Sequence, residues 1–179
     1  MMRLLPEVPF NYSDTGECEV LELPHEGRTS MLIFLPKGNG RPDISLEEAE
    51  RAMKSMREVR LDEIIIPKFE ITSEYDLNGL LMGMGSRSAF SPDRADFSGM
   101  YRREEAIGNL YVSLVRHKAR IALDEEGTEA AGATGVVVGI TAARERRTFV
   151  ADHPFAFLIV DRETGTILFM GSVVNPASG

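Results

Sequence analysis

The pattern of hydrophobic and polar residues along the chain predicts several β-strands joined by short turns. Val20–Pro24 alternates between two faces, and the continuous apolar run Ser30–Pro36 indicates a strand buried on both sides. Two further apolar runs, Phe155–Val160 and Ile167–Met170, flank the turn 161–166 and predict a hairpin of two buried strands. A β-rich core therefore accounts for much of the sequence.

Helical spacing occurs in two places. Ser45 and Glu48 have the spacing of a capping box, which predicts a helix that runs to about Arg57. Its apolar residues share one face and are expected to form a core stripe: Leu46, Ala49, Met53 and Met56. A short second helix is predicted from apolar residues at helical spacing followed by glycines: Leu77, Leu80, Leu81 and Met84, with Gly83 and Gly85 ending it.

Two longer segments also have strand character. Ile64–Ile71 is rich in β-branched residues but contains Pro67, which has no amide proton to donate. We therefore expect this strand to lie at a sheet edge or to bulge at the proline. Asn109–Leu123 contains two successive sets of alternating apolar residues and predicts another strand.

The segment from Gly127 to Gly139 has small side chains and almost no charge. Such a segment is more apolar than most surface loops and richer in glycine than most core strands. It suits a segment that is first exposed and then inserted between strands. If it were a strand, one face would be free of charge: Thr128, Ala130, Gly132, Thr134, Val136 and Val138. Taken alone, the segment fits an ordinary glycine- and alanine-rich loop equally well.

Several segments together make the chain resemble the C-terminal half of a serpin. The similarity extends from about Phe10 to near the end of the chain, and no single motif carries it. The segments follow the family's order: Pro67–Phe69 and Tyr75–Leu77 to Met84–Gly85, then Ala95–Gly99 and His117–Ala119, the hinge-like Asp124–Thr134, and Ala151–Phe155 through Leu168–Gly171 to Asn175–Pro176.

The resemblance implies an α+β fold of mixed, mostly antiparallel β-sheets with short helices and an exposed reactive loop at about 127–147. Residues 1–179 would form a partial serpin domain that lacks the N-terminal helices and several strands of the large sheet. The implied mechanism is suicide inhibition. A serine protease attacks the loop, and the cleaved loop then inserts into the large sheet and traps the acyl-enzyme.

The family pattern also assigns roles within the loop. The residues that match the hinge are Glu125, Gly127, Thr128, Glu129, Ala130, Ala131, Gly132, Ala133 and Thr134. Counting from Gly127 forward and from Phe155 backward places the bait bond at Thr141–Ala142, with Arg144 as the alternative reactive residue. The small Thr141, preceded by Ile140, implies an elastase-like or subtilisin-like partner.

Three residues outside the loop match positions that control the opening of the large sheet. Lys68 and Glu125 match an ion pair near the entry point of the loop, although they could also be two unrelated surface charges. His117 matches a histidine that forms hydrogen bonds where the sheet opens. Because the strand beside which the loop inserts would lie in a missing N-terminal half, we expect the isolated chain not to act as a trap. Another polypeptide could supply that half.

Composition and charge limit the possible binding partners and the possible locations of the protein. The net charge of −8 argues against nucleic acid as a partner, and no apolar run has transmembrane length. The one cysteine, Cys18, excludes an intrachain disulfide. We expect no signal peptide within the given residues, and the compartment stays open.

An enzyme is disfavoured because no local signature surrounds Cys18, although a thiol hydrolase pair with His25, His117 or His153 is conceivable. The scattered histidines predict no metal site, and nothing implies a cofactor. A non-inhibitory binding or structural protein, or an inactive truncated product, remains the alternative function.

Overall fold

A computed structural model describes residues 1–38, 44–100, 109–124 and 146–176. The chain divides into two compact units, one formed by residues 1–69 and 122–179 and the other by residues 70–121. Among the described residues, no helix combines the length and the apolar character that crossing a membrane would require.

The first unit contains most of the strands. These strands are β1 (Met2–Leu4), β2 (Phe10–Asp14), β3 (Cys18–Pro24), β4 (Thr29–Pro36), β5 (Arg57–Val59), β6 (Glu63–Ile66), β9 (Thr148–Val150), β10 (Phe155–Asp161) and β11 (Ile167–Val173). Helix α1 (Leu46–Ser55) lies between β4 and β5 in the chain. Strands β7 (Phe69–Asp76) and β8 (Arg116–Leu123) lead into and out of the second unit, which also contains helix α2 (Asn78–Gly83) and a 3₁₀ turn (Ser88–Phe90).

A six-stranded sheet forms the core of the first unit, with the strand order β11-β10-β4-β3-β2-β5. All its pairings are antiparallel, and the central strand β4 is buried from Ser30 to Leu35. Both predicted strands in this region are confirmed, as is the mostly antiparallel fold class. Because side chains alternate along a strand, β4 directs large apolar residues to both faces of the sheet.

The two faces of this sheet are covered differently. One face packs against α1 through a cluster that includes Val20, Phe34, Leu158 and Ala52. On the other face Phe69 contacts two rings of β10, with centroid distances of 6.0 Å to Phe155 and 5.6 Å to Phe157. Such aromatic pairs contribute about 0.5–1.5 kcal/mol each beyond the burial of their apolar area.

The capping box of α1 is confirmed. The Glu48 amide donates to the Ser45 hydroxyl at 3.2 Å, and the Glu48 carboxylate accepts from the Ser45 amide at 2.9 Å. The predicted extent is too long, because Arg57 already pairs with Tyr12 as the first residue of β5. The predicted core stripe is also partly wrong: Leu46 is 62% exposed, whereas the helix buries Ala49 and Ala52.

Pro67 divides the predicted strand Ile64–Ile71 into two. Strand β6 ends at Ile66 and β7 begins at Phe69, because a proline cannot donate to the ladder. The predicted edge position is wrong for β6, which lies between antiparallel β1 and parallel β9 in a three-stranded sheet. The proline instead ends the ladder at the point where the chain passes from one sheet to another.

The second predicted long strand, Asn109–Leu123, is regular only from Arg116 onward. Before that residue the backbone bonds to the segment around α2 instead. The Val112 amide donates to the Ala89 carbonyl at 2.9 Å, and the Val115 amide donates to the Asn78 side chain at 2.7 Å. Alternating apolar residues therefore marked an extended segment, but not a ladder.

The C-terminal hairpin of β10 and β11 is confirmed. Its turn is fixed by Asp161, whose carboxylate accepts from the amides of Glu163 at 3.0 Å and Thr164 at 3.1 Å and pairs with Arg28 at 2.6 Å. The expectation that both strands are buried is wrong for β11. As the edge of the sheet, it leaves three apolar residues substantially exposed: Leu168, Phe169 and Met170.

Gly171 on β11 is required by its neighbour. A Cβ atom at this position would lie 2.6 Å from Cζ of the buried Phe157 ring, which is its cross-strand partner. Gly171→Ala should therefore destabilise the fold by about 1–3 kcal/mol, measured by urea unfolding. Ser172→Ala, an exposed neighbour on the same strand, is the control. A Gly171→Ala protein as stable as the control would show that the Phe157 ring moves aside without cost.

Candidate reactive-loop site

The predicted reactive loop lies between β8 and β9. The described residues do not include the predicted functional positions of this loop. These positions are the hinge from Glu125 to Thr134, the bait bond Thr141–Ala142 and the alternative reactive residue Arg144. The structure describes the two flanks of the loop, which end at Asp124 on one side and begin again at Arg146 on the other. The geometry of these flanks determines how the loop is held.

The C-terminal flank is held by reciprocal hydrogen bonds between Arg147 and Asp62. The Arg147 amide donates to the Asp62 carboxylate at 2.8 Å, and the Asp62 amide donates to the Arg147 carbonyl at 2.8 Å. Strand β9 then pairs in parallel with β6, and the Ala151 amide continues the ladder by donating to Ile65 at 2.8 Å. Because Phe149 is fully buried, the chain is fixed from Arg147 onward.

The N-terminal flank is β8, which pairs with β7 in a two-stranded sheet. Arg116 contacts Glu74 at 3.1 Å, and Arg120 contacts Glu70 at 2.7 Å. The hydrogen bond from Arg120 lowers the pKa of the Glu70 carboxyl. Both ion pairs are exposed and contribute little stability. In both pairs an arginine of β8 contacts a glutamate of β7.

The structure describes two of the three predicted control residues, Lys68 and His117. Lys68 follows Pro67 between β6 and β7 and is exposed. Its predicted partner Glu125 lies outside the described residues, so their ion pair stays a prediction. His117 is exposed on β8 and, by the alternation of the strand, shares the face of Leu123 rather than that of Arg116. Its role in sheet opening also stays a prediction.

His153 forms a second clamp beyond β9 that no sequence pattern predicts. Its Nδ1 lies 2.8 Å from the Asp152 carboxylate, and its Nε2 lies 2.7 Å from the Pro36 carbonyl at the end of β4. The hydrogen bond to Asp152 raises the pKa of His153. In the protonated ring both nitrogens donate, so the charged form satisfies both acceptors. Asp62 and His153 lie 85 and 117 residues from their partners, and no local motif marks them.

The environment of Cys18 does not favour a thiol nucleophile. Burial, with the nearby carboxylates of Glu19 and Glu48, raises the pKa of the Cys18 thiol to about 11, so the thiol stays protonated at neutral pH. Its hydrogen bond goes to the Glu19 carbonyl at 3.5 Å. In the described ranges, no three metal-binding side chains come together.

Comparisons with known proteins identify the family and the fold of this chain. A family profile described as Serpin (serine protease inhibitor) matches residues 1–176. Intracellular coagulation inhibitor 2 of Tachypleus tridentatus is 43% identical over 97% of this chain and 43% of that protein. The leukocyte elastase inhibitor of Equus caballus is 34% identical over 98% of this chain and 48% of that protein. The crystal structure of human thyroxine-binding globulin with thyroxine has a TM-score of 0.76 and 31% identity, covering 98% of this chain and 45% of that one.

The strand order and the mostly antiparallel sheets define an α+β fold of the serpin type. The chain belongs to the serpin family. The family is described as inhibitors of serine proteases, and relatives are named as inhibitors, so it is not a family of enzymes. The chain spans less than half the length of these two inhibitors.

Removing the Asp62 side chain should loosen the C-terminal flank of the loop. Asp62→Ala leaves the Arg147 amide without its carboxylate acceptor, at a cost of about 1–2 kcal/mol. Amide hydrogen exchange at Arg147 should then become roughly tenfold faster. Asp62→Asn, which keeps an acceptor oxygen, is the matched control. Equal exchange rates at Arg147 in the Ala variant and the wild type would exclude a holding role for Asp62.

The His153 clamp should make stability depend on pH. Since the folded-state pKa lies above the unfolded value of about 6.5, the stabilisation is complete below that pH and is lost as the pH rises through the folded-state pKa. The loss should stay below about 1 kcal/mol because the side chain is partly exposed. We expect His153→Gln to abolish this component of the unfolding free energy between pH 5.5 and 8.5.

His25 provides the opposite control. Burial, followed by the nearby Arg162, lowers the pKa of His25, so its contribution to stability is lost as the pH falls below the unfolded value. His25→Gln should therefore remove a loss of stability at low pH and leave the His153 component in place. If both variants change the pH profile in the same direction, the assignment of the clamp is wrong.

Proposed function

We propose that this chain contributes the reactive loop of a suicide-substrate inhibitor of serine proteases. The catalytic serine would attack the carbonyl carbon of Thr141, the Thr141–Ala142 bond would break, and Ala142 would leave as a free amine. The protease would then stay attached through an ester until water hydrolyses it. Trapping requires that insertion of the loop be faster than this hydrolysis.

The observation that carries the proposal is the position of the loop between β8 and β9, in a chain that matches the serpin family from residue 1 to 176. In the described part of the chain, β8 pairs with β7 alone, so its other edge is available for an added strand. Cleavage within 127–147 would leave one end of the loop attached to β8 and the other to β9. The end attached to β8 could then move, while the hydrogen bonds of Asp62 and the burial of Phe149 hold the end attached to β9.

The energy of insertion is large enough to disturb a protease. Six small inward side chains and the ladder hydrogen bonds of a new strand would stabilise the product by on the order of 15 kcal/mol. Losing one oxyanion donor slows a serine protease by roughly 10²–10³-fold, which corresponds to only a few kcal/mol. Insertion therefore exceeds what is needed to distort the active site of the protease and stall deacylation.

The side chains at the bait bond suggest the class of protease. Thr141 is small and β-branched, and Ile140 before it is apolar. A shallow apolar specificity pocket of the elastase or subtilisin type accepts these residues better than a pocket built for a cation. The similarity to a leukocyte elastase inhibitor agrees with this choice. Arg144, three residues later, is the alternative target and would fit a trypsin-like protease.

A carrier function is the second candidate. It is favoured by the similarity to human thyroxine-binding globulin, whose structure contains a bound small molecule. The side chains on the inward face of the hinge distinguish an inhibitor from a carrier. Bulky or charged residues on that face would prevent insertion of the loop and would favour a carrier. Thr128, Ala130 and Gly132 are small and uncharged, which supports inhibition.

Mapping the first cleavage tests the bait bond. The 179-residue chain is incubated with pancreatic elastase, subtilisin and trypsin, and the early fragments are identified by intact-mass spectrometry. We expect elastase or subtilisin to cut first at Thr141–Ala142, and Thr141→Lys to slow this cut by on the order of tenfold or more. Arg144→Gln is the matched control and should affect only trypsin. First cleavage elsewhere by both enzymes would reject the bond.

Substitution on the inward face tests insertion in the complete protein. Thr128→Arg would bury an unpaired charge, so insertion should slow and the acyl-enzyme should be hydrolysed instead. The ratio of cleaved inhibitor to SDS-stable complex should rise by on the order of tenfold or more. Glu129→Arg, which changes a residue on the opposite face, should have a much smaller effect. Equal ratios for the two variants would contradict the assignment of faces.

A further inference from the structure

A cavity of about 460 Å³ lies beside α1, at the end of the sheet where β3 begins and β4 ends. All of its lining residues belong to the first unit, and none of them belongs to the predicted reactive loop. Its size falls within the range of about 300–1,000 Å³ that is usual for small-molecule sites. No step of the proposed inhibitory mechanism uses it.

The floor of this cavity is apolar. Val20, Phe34 and Ala52 belong to the buried cluster between the sheet and α1, and Ile44 and Cys18 pack against that cluster. The Cys18 thiol is uncharged at neutral pH because burial and neighbouring carboxylates raise its pKa to about 11. The floor therefore offers an apolar surface with no charge of its own.

The rim of the cavity carries exposed charges of both signs. Glu17 and Arg51 both line the cavity, and neither side chain forms a hydrogen bond or a salt bridge with another described residue. Glu48 also lies on the rim, where its Oε2 accepts from the Ser45 amide at 2.9 Å and from the Ser45 hydroxyl at 2.8 Å. These hydrogen bonds, and then the charge of Arg51, lower the pKa of the Glu48 carboxyl. A ligand would thus meet the guanidinium of Arg51, near Glu48, and the carboxylate of Glu17 above an apolar floor.

We propose that this cavity binds a small zwitterion with an apolar substituent, of which an apolar amino acid is the simplest example. The ligand carboxylate would pair with the guanidinium of Arg51, which presents a planar set of donors suited to a carboxylate. The ligand ammonium would pair with Glu17. The substituent would lie on Val20 and Phe34. A ligand with only one charge would leave one rim group unpaired and bind more weakly.

Three probes that share a phenyl group separate these contributions in isothermal titration calorimetry. L-phenylalanine carries both charges, phenethylamine only the cation and 3-phenylpropanoate only the anion. We expect L-phenylalanine to bind most tightly, by on the order of tenfold over each of the others. Lys54→Ala, on the same helix, and Glu26→Gln, in a distant turn, are control variants and should leave all three affinities unchanged.

Two variants assign the charges. Arg51→Ala should weaken L-phenylalanine and 3-phenylpropanoate by on the order of tenfold and leave phenethylamine unaffected. Glu17→Gln should weaken L-phenylalanine and phenethylamine and leave 3-phenylpropanoate unaffected. Both residues are exposed, so neither change threatens folding. The absence of saturable L-phenylalanine binding, equal affinity for the three probes, or loss of binding in the control variants would each overturn the proposal.

Discussion

The parallel pairing of β6 with β9 is the constraint on which the candidate site depends. In this ladder Glu63 pairs with Thr148. The chain between these two residues, which includes the predicted loop, therefore leaves the sheet at β6 and returns to it at β9. Because parallel strands need a long crossover, the intervening chain cannot be a tight turn. The clamp at Asp62 and the burial of Phe149 hold the point where the crossover returns. A loop attached in this way can be cut without releasing the chain that follows it.

Long apolar or alternating runs predicted the strands that build the six-stranded sheet, and the spacing of Ser45 and Glu48 predicted the start of α1. Strands β1, β5 and β9 have three residues each and contain no periodic signal. They form only because distant partners offer free backbone groups, as when Met2 pairs with Ile66. Pro67 was recognised as incompatible with a ladder, but the sequence does not tell a bulge from a break between two sheets.

The candidate site divides in the same way. The composition of 127–139 and the family resemblance predicted where the loop lies, because small uncharged residues at alternate positions are an unusual local pattern. The residues that hold its C-terminal flank could not be found from sequence. The side chains of Asp62 and His153 each form a hydrogen bond with a backbone group that is distant in sequence. A backbone partner can belong to any residue type, so the sequence does not show such a contact. The serpin similarity supports the proposed class of mechanism, and the described contacts show which residues hold the C-terminal flank of the predicted loop.

The exposed edge of β11 has a practical consequence. Leu168, Phe169 and Met170 form an uncharged strand edge with no lysine or proline to discourage pairing with another chain. We expect self-association of the polypeptide through such edges to increase with its concentration. A lysine placed at position 168 or 170 would introduce mutual repulsion between two such edges while leaving Gly171 and its contact with Phe157 intact.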